Sequence, residues 1–107
     1  MEVSQDIKYK DRTIDIFGSK WKLKWVDDIP TDDGSIADGL TSHINQTISI
    51  KKGLNQKELP ITVLHEFIHA FLDTGQYLNS SHDEPMVEWL ARCFNALIKQ
   101  GILKWNL

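Results

Sequence analysis

The first half of the chain alternates apolar and polar residues, and the second half repeats its apolar residues every third or fourth position. Residues 13–17 place Ile14 and Ile16 on one face, and residues 20–27 set Trp21, Leu23 and Trp25 against Lys22 and Lys24. That is the period of a half-buried strand. Gly18-Ser19 between the runs supplies a turn, so a hairpin is expected. Residues 1–12 are less regular, with Ile7 and Tyr9 as candidates for an edge strand. Residues 28–39 carry Pro30, Gly34, Gly39 and several aspartates, which is loop chemistry. Residues 40–44 and 47–51 then predict a second hairpin around Asn45-Gln46.

Helical signals follow. Asn55 and Glu58 have the spacing of a capping box, with Leu54 and Leu59 placed as a hydrophobic staple. Pro60 offers an alternative first turn, because the missing N–H of a proline is harmless there. Gly75 ends this helix; Ser81 or Asp83 starts another, which runs to about Ile98 before Gly101. At about 100° per residue, Ile61, Leu64, Phe67, Ile68, Phe71 and Leu72 form one apolar arc. Thr62, His65, Glu66, His69 and Asp73 fall on the other side. The expected fold is a small α+β domain spanning 1–107, with an antiparallel or mixed sheet of two hairpins packed on the two helices.

Composition narrows the chemistry. The 107 residues are 41% hydrophobic and 25% charged, which suits a globular domain rather than a disordered chain. A net charge of −3 argues against nucleic acid, and the aligned Lys20, Lys22 and Lys24 read as the solvated face of a strand. The single cysteine, Cys93, excludes an internal disulfide and a thiolate cage. With no apolar leader and no run long enough for a membrane span, the expected setting is reducing and cytoplasmic.

Within the first helix His65-Glu66-Phe67-Ile68-His69 spells H-E-x-x-H. Two imidazoles one turn apart can grip one metal ion, and the glutamate between them is placed to act as a general base. A catalytic zinc site usually takes three protein ligands, so the third must come from elsewhere. Downstream, His82, Asp83, Glu84 and Glu88 are candidates. Glu84 also fits a capping box with Ser81, and Glu88 fits an i,i+4 ion pair with Arg92.

Two hairpins, the motif His65-Glu66-Phe67-Ile68-His69-Ala70 and the later Val87-Glu88-Trp89-Leu90-Ala91-Arg92 together resemble the minimal gluzincin domains of the zincin superfamily. The likeness is to small metallopeptidase-like proteins of bacteriophages and to the ImmA/IrrE-type peptidase domain. It implies one Zn2+ per chain held by His65, His69 and Glu88, with Glu66 as the base that activates the zinc-bound water for peptide hydrolysis. Tyr77, His82 and His43 are candidate oxyanion donors, and Asp73 is a candidate partner for a ligating imidazole. A protein or peptide substrate, laid along one strand of the 40–51 hairpin, is the implied partner, in the host cytoplasm if the protein is phage-encoded. The alternative is a zinc-stabilised phage-type protein that binds a host protein without cutting it.

Overall fold

The computed structural model describes residues 9–105. Strands β1 (Arg12–Ile16) and β2 (Ser19–Val26) form the first hairpin, and β5 (Gly39–Ser42) and β6 (Thr47–Lys51) the second. Between them, β3 (Ile29–Pro30) and β4 (Ile36–Ala37) make a small two-stranded ladder inside the expected loop. Helices α1 (Glu58–Thr74), α2 (Leu78–Ser81) and α3 (Glu84–Lys99) follow, giving the expected α+β fold. No helix among the described residues is long and apolar enough to cross a membrane.

The hairpins join through a parallel pairing of β2 with β6, so the main sheet runs β1-β2-β6-β5 with β5 at one edge. Alternation sends Trp21, Leu23, Trp25, Ile48 and Ile50 to the face that packs on Leu59, Val63 and Ala70 of α1. The lysines of β2 are exposed, as a solvated face requires. The tight turn sits one residue earlier than expected, at Phe17-Gly18, where both residues have positive φ (51° and 89°). Asp15 stabilises it by accepting from the Gly18 N–H at 2.7 Å. The candidate edge strand at the N-terminus does not form at Tyr9, which instead stacks edge-on against Trp25; Ile7 lies outside the described residues.

Both start signals for α1 operate together. Asn55 Oδ1 accepts from Lys57 N and Glu58 N, and Pro60 falls inside the first turn where no donor is needed. The helix buries two stripes rather than one arc. Leu59, Val63, Glu66, Ala70 and Asp73 turn toward the sheet side, while Ile68 meets Val87 and Ala91 of α3 with Ile61, Leu64 and Leu72 around them. Phe71, expected within the apolar arc, is 46% exposed and touches only the rim through Phe17. Asp83 caps α3 by accepting from Met86 N at 3.2 Å.

Candidate metal centre

His65 and His69 stand one turn apart on α1, and their Nε2 atoms approach to 3.2 Å. Glu84, the first residue of α3, brings Oε1 to 2.6 Å from His69 Nε2 and 3.5 Å from His65 Nε2. These three side chains form the described group able to hold a metal ion. The short helix α2 folds the chain back so that the first turn of α3 faces the imidazoles. A carboxylate there is also favoured by the helix dipole.

The outer nitrogens are held separately. His65 Nδ1 lies 3.0 Å from Glu88 Oε1, and Glu88 Oε2 is anchored by Arg92 at 2.7 Å. A carboxylate can only accept, so Nδ1 carries the proton and Nε2 keeps its lone pair. His69 Nδ1 lies 3.1 Å from the hydroxyl of Ser81, which is buried. Two imidazole Nε2 atoms and a carboxylate thus converge within a few ångströms, where a proton or a cation can bridge them. Ligands about 2.0–2.2 Å from a tetrahedral ion stand roughly 3.3–3.5 Å apart. The 3.2 and 3.5 Å separations match that spacing, and the 2.6 Å one needs only a small outward swing of an exposed side chain. The donor set therefore fits a divalent cation.

This placement differs from the sequence expectation for the third ligand. Glu88 sits one turn further along α3 than Glu84 and reaches the far side of the His65 ring. There it orients the imidazole, which is the role expected of an outer partner to a ligating histidine. Glu84 does not close a capping box with Ser81, because Asp83 is the cap and Ser81 is engaged by His69.

Glu66 lies between the ligands and the sheet and is only 8% exposed. Burial pushes its carboxyl above the ordinary value; the hydrogen bond from Thr41 and the neighbouring imidazoles pull it back, and Glu84 adds to the rise. The Thr41 hydroxyl donates to Oε1 at 2.7 Å. Gly39, two residues earlier on the same face of β5, is pressed against this carboxylate: a Cβ there would stand 2.8 Å from Glu66 Cγ and 3.0 Å from Oε2. Neither Gly39 nor Thr41 was singled out from sequence. Their i,i+2 spacing on a strand was the available signal, but nothing local tied it to Glu66.

A cleft of about 490 Å³ opens over these groups, lined among others by Leu40, Glu66, His69, Leu78, His82 and Glu84. His43 and His82 both reach it, whereas Tyr77 is 66% exposed and does not line it. Asp73 lines the cleft too, but makes no hydrogen bond to either imidazole among the described residues, since Glu88 and Ser81 fill those positions. Comparison with protein-family models, with curated proteins and with solved structures gives no match to this chain.

Proposed function

We propose that the protein is a zinc-dependent metallopeptidase, with His65, His69 and Glu84 as ligands and Glu66 as general base. The observation that carries this reading is the convergence of two Nε2 atoms and one carboxylate oxygen beside a buried glutamate at the floor of an open cleft. Zinc bound there would supply Lewis acidity toward the scissile carbonyl and make a water acidic enough to ionise near neutral pH. Borderline nitrogen and oxygen donors in a compact set suit zinc better than calcium or magnesium, which prefer all-oxygen shells.

The chain's own residues account for the rest. Glu66, with its proton affinity raised by burial, takes a proton from the attacking water and returns it to the departing amine. Thr41 holds the carboxylate in place through its hydrogen bond to Oε1. Of the two strands in the second hairpin only β5 has a free edge, so an extended peptide would add alongside Gly39, Leu40 and Thr41. His43 and His82 are the cleft residues able to donate to a tetrahedral oxyanion.

Metal analysis of protein purified without added zinc, followed by peptide turnover of wild type and Glu66→Gln, tests the reading. One zinc per chain in both proteins, with turnover only in the wild type, is expected. Zinc in neither rejects the metal site. Zinc in both with no turnover of any peptide rejects the peptidase and leaves a zinc-bearing binding protein.

A further inference from the structure

One buried charge in the cleft is unused by the chemistry above. Asp73 is nine-tenths buried, with 9% of its surface exposed, yet its carboxylate has no hydrogen-bond or ion-pair partner among the described residues. It lies one turn beyond His69 on α1, about 6 Å along the helix axis. At that point the metal cleft meets a second cavity of about 350 Å³, and Asp73, His43 and Leu78 belong to the walls of both. Gln46, Thr74 and Gln76 complete much of the second wall, and no lysine or arginine lines either cavity. The carboxylate oxygens themselves still open onto the cleft, where an entering cation could reach them.

We propose that Asp73 is a specificity-determining residue that receives the cationic side chain of a lysine or arginine lying one or two residues from the scissile bond. The inference rests on the peptidase reading and names its substrate class. The spacing suits it. An extended peptide advances roughly 3.3 Å per residue, so a backbone held at the ligands carries a neighbouring side chain to Asp73. Leu78, 46% exposed, offers an apolar surface for the methylene stem, while the amide and hydroxyl side chains around it can hydrogen-bond the charged head. An acidic side chain entering the same cavity would meet the unpaired carboxylate, so selection works by repulsion as well as attraction.

The test uses internally quenched peptides, N-acetylated and C-amidated, carrying a single lysine, acetyl-lysine or glutamate at successive positions. Acetylation of lysine retains its length and removes its charge, so the wild-type protein reports the charge preference without substitution. At one position lysine should raise kcat/KM over acetyl-lysine by about 10- to 100-fold, the range of a hydrogen bond to a charged group. Asp73→Asn should reduce that ratio to within about twofold, and Asp73→Lys should favour glutamate. A ratio near one in wild type, or one unchanged in Asp73→Asn, overturns the proposal.

A binding measurement separates this from failure of the peptidase reading. Fluorescence anisotropy with labelled versions of the same peptides on wild-type protein and on Glu66→Gln needs no turnover. Tighter binding of lysine than acetyl-lysine peptides, lost in Asp73→Asn, upholds the subsite even if nothing is cleaved. Equal binding, or no binding at millimolar peptide, overturns it.

Discussion

Replacing Gly39 by alanine probes the contact between the edge strand and Glu66. The added Cβ would stand 2.8 Å from Glu66 Cγ, 3.0 Å from Oε2 and 3.2 Å from Cδ, where ordinary contact needs about 3.4 Å or more. Neither side yields easily. Gly39 is paired with Ile50, the neighbouring Asp38 carbonyl accepts from Lys51 N at 2.9 Å, and Glu66 is held by Thr41 at 2.7 Å. A glycine-to-alanine change on its own gains about 0.4–1 kcal/mol by restricting the unfolded chain. Overpacking costs about 1–3 kcal/mol, and losing the Thr41 bond to a charged acceptor about 1.5–3 kcal/mol. The collision wins, with a net loss of about 1.5–5.6 kcal/mol and, at about 4 °C per kcal/mol, a fall in Tm of about 6–22 °C. Thermal unfolding of Gly39→Ala in wild-type and Glu66→Ala backgrounds isolates the cause, because removing the Glu66 carboxylate removes the obstacle. In Glu66→Ala the alanine at 39 should be neutral or mildly stabilising. An equal loss in both backgrounds would refute the reasoning.

Zinc at 100 times its Kd should stabilise the protein by about 2.7 kcal/mol, a Tm rise of about 11 °C that EDTA reverses; scanning calorimetry showing no shift would reject the site. Glu84→Ala should alter the visible spectrum of the cobalt-substituted protein, whereas Glu88→Ala should weaken metal binding by about 10- to 100-fold and leave the spectrum alone. The reverse pattern would return the third ligand to Glu88. In EDTA, Glu66→Gln should raise Tm increasingly as pH climbs. The raised carboxyl of wild-type Glu66 favours the folded state fully only below its unfolded value near 4.5, and that contribution is lost as pH rises through the folded value. A Tm difference that does not vary between pH 4 and 8 would contradict this. Asp33 accepts from Thr31 and Ser35, which hold its carboxyl down at about 2, so any stability it contributes is present above pH 4 and lost near pH 2. A carboxyl NMR titration with a midpoint near 3.8 would show those bonds do not persist in solution.

The parts of the site written in local spacing were legible in the sequence. His65 and His69 meet because four residues make one helical turn, and Asn55 and Asp83 cap helices because short polar side chains before an apolar run do so. Parallel pairing of β2 with β6 was not legible, since it depends on a connection whose path no local pattern specifies. The choice between Glu84 and Glu88 was not legible for a related reason. Both point toward α1 at successive turns of α3, and only the small helix α2, four residues from Leu78 to Ser81, decides which turn reaches the Nε2 atoms. The helical wheel left Val63 and Ala70 out of the apolar arc because it assumed one buried face, whereas α1 is covered by the sheet on one side and by α3 on another.

That two-sided burial explains how one helix can present Glu66, His69 and Asp73 to one cleft. The sheet-side stripe of α1 runs Leu59, Val63, Glu66, Ala70 and Asp73, so carboxylates occupy two positions that packing alone would give to apolar residues. Edge strand β5 meets this stripe with its least bulky residue, Gly39, and with a hydroxyl, Thr41, where apolar side chains would leave Glu66 without a donor. His65 and His69 sit a little around the helix from the stripe, half-buried, where α3 can reach them with Glu84 and Glu88. Replacing Glu66 by leucine would remove a desolvated carboxyl from the stripe, so its presence opposes the stability of the fold. On the proposed function the two carboxylates have separate uses: Glu66 would handle a proton, and Asp73 would receive a cation that the peptide brings.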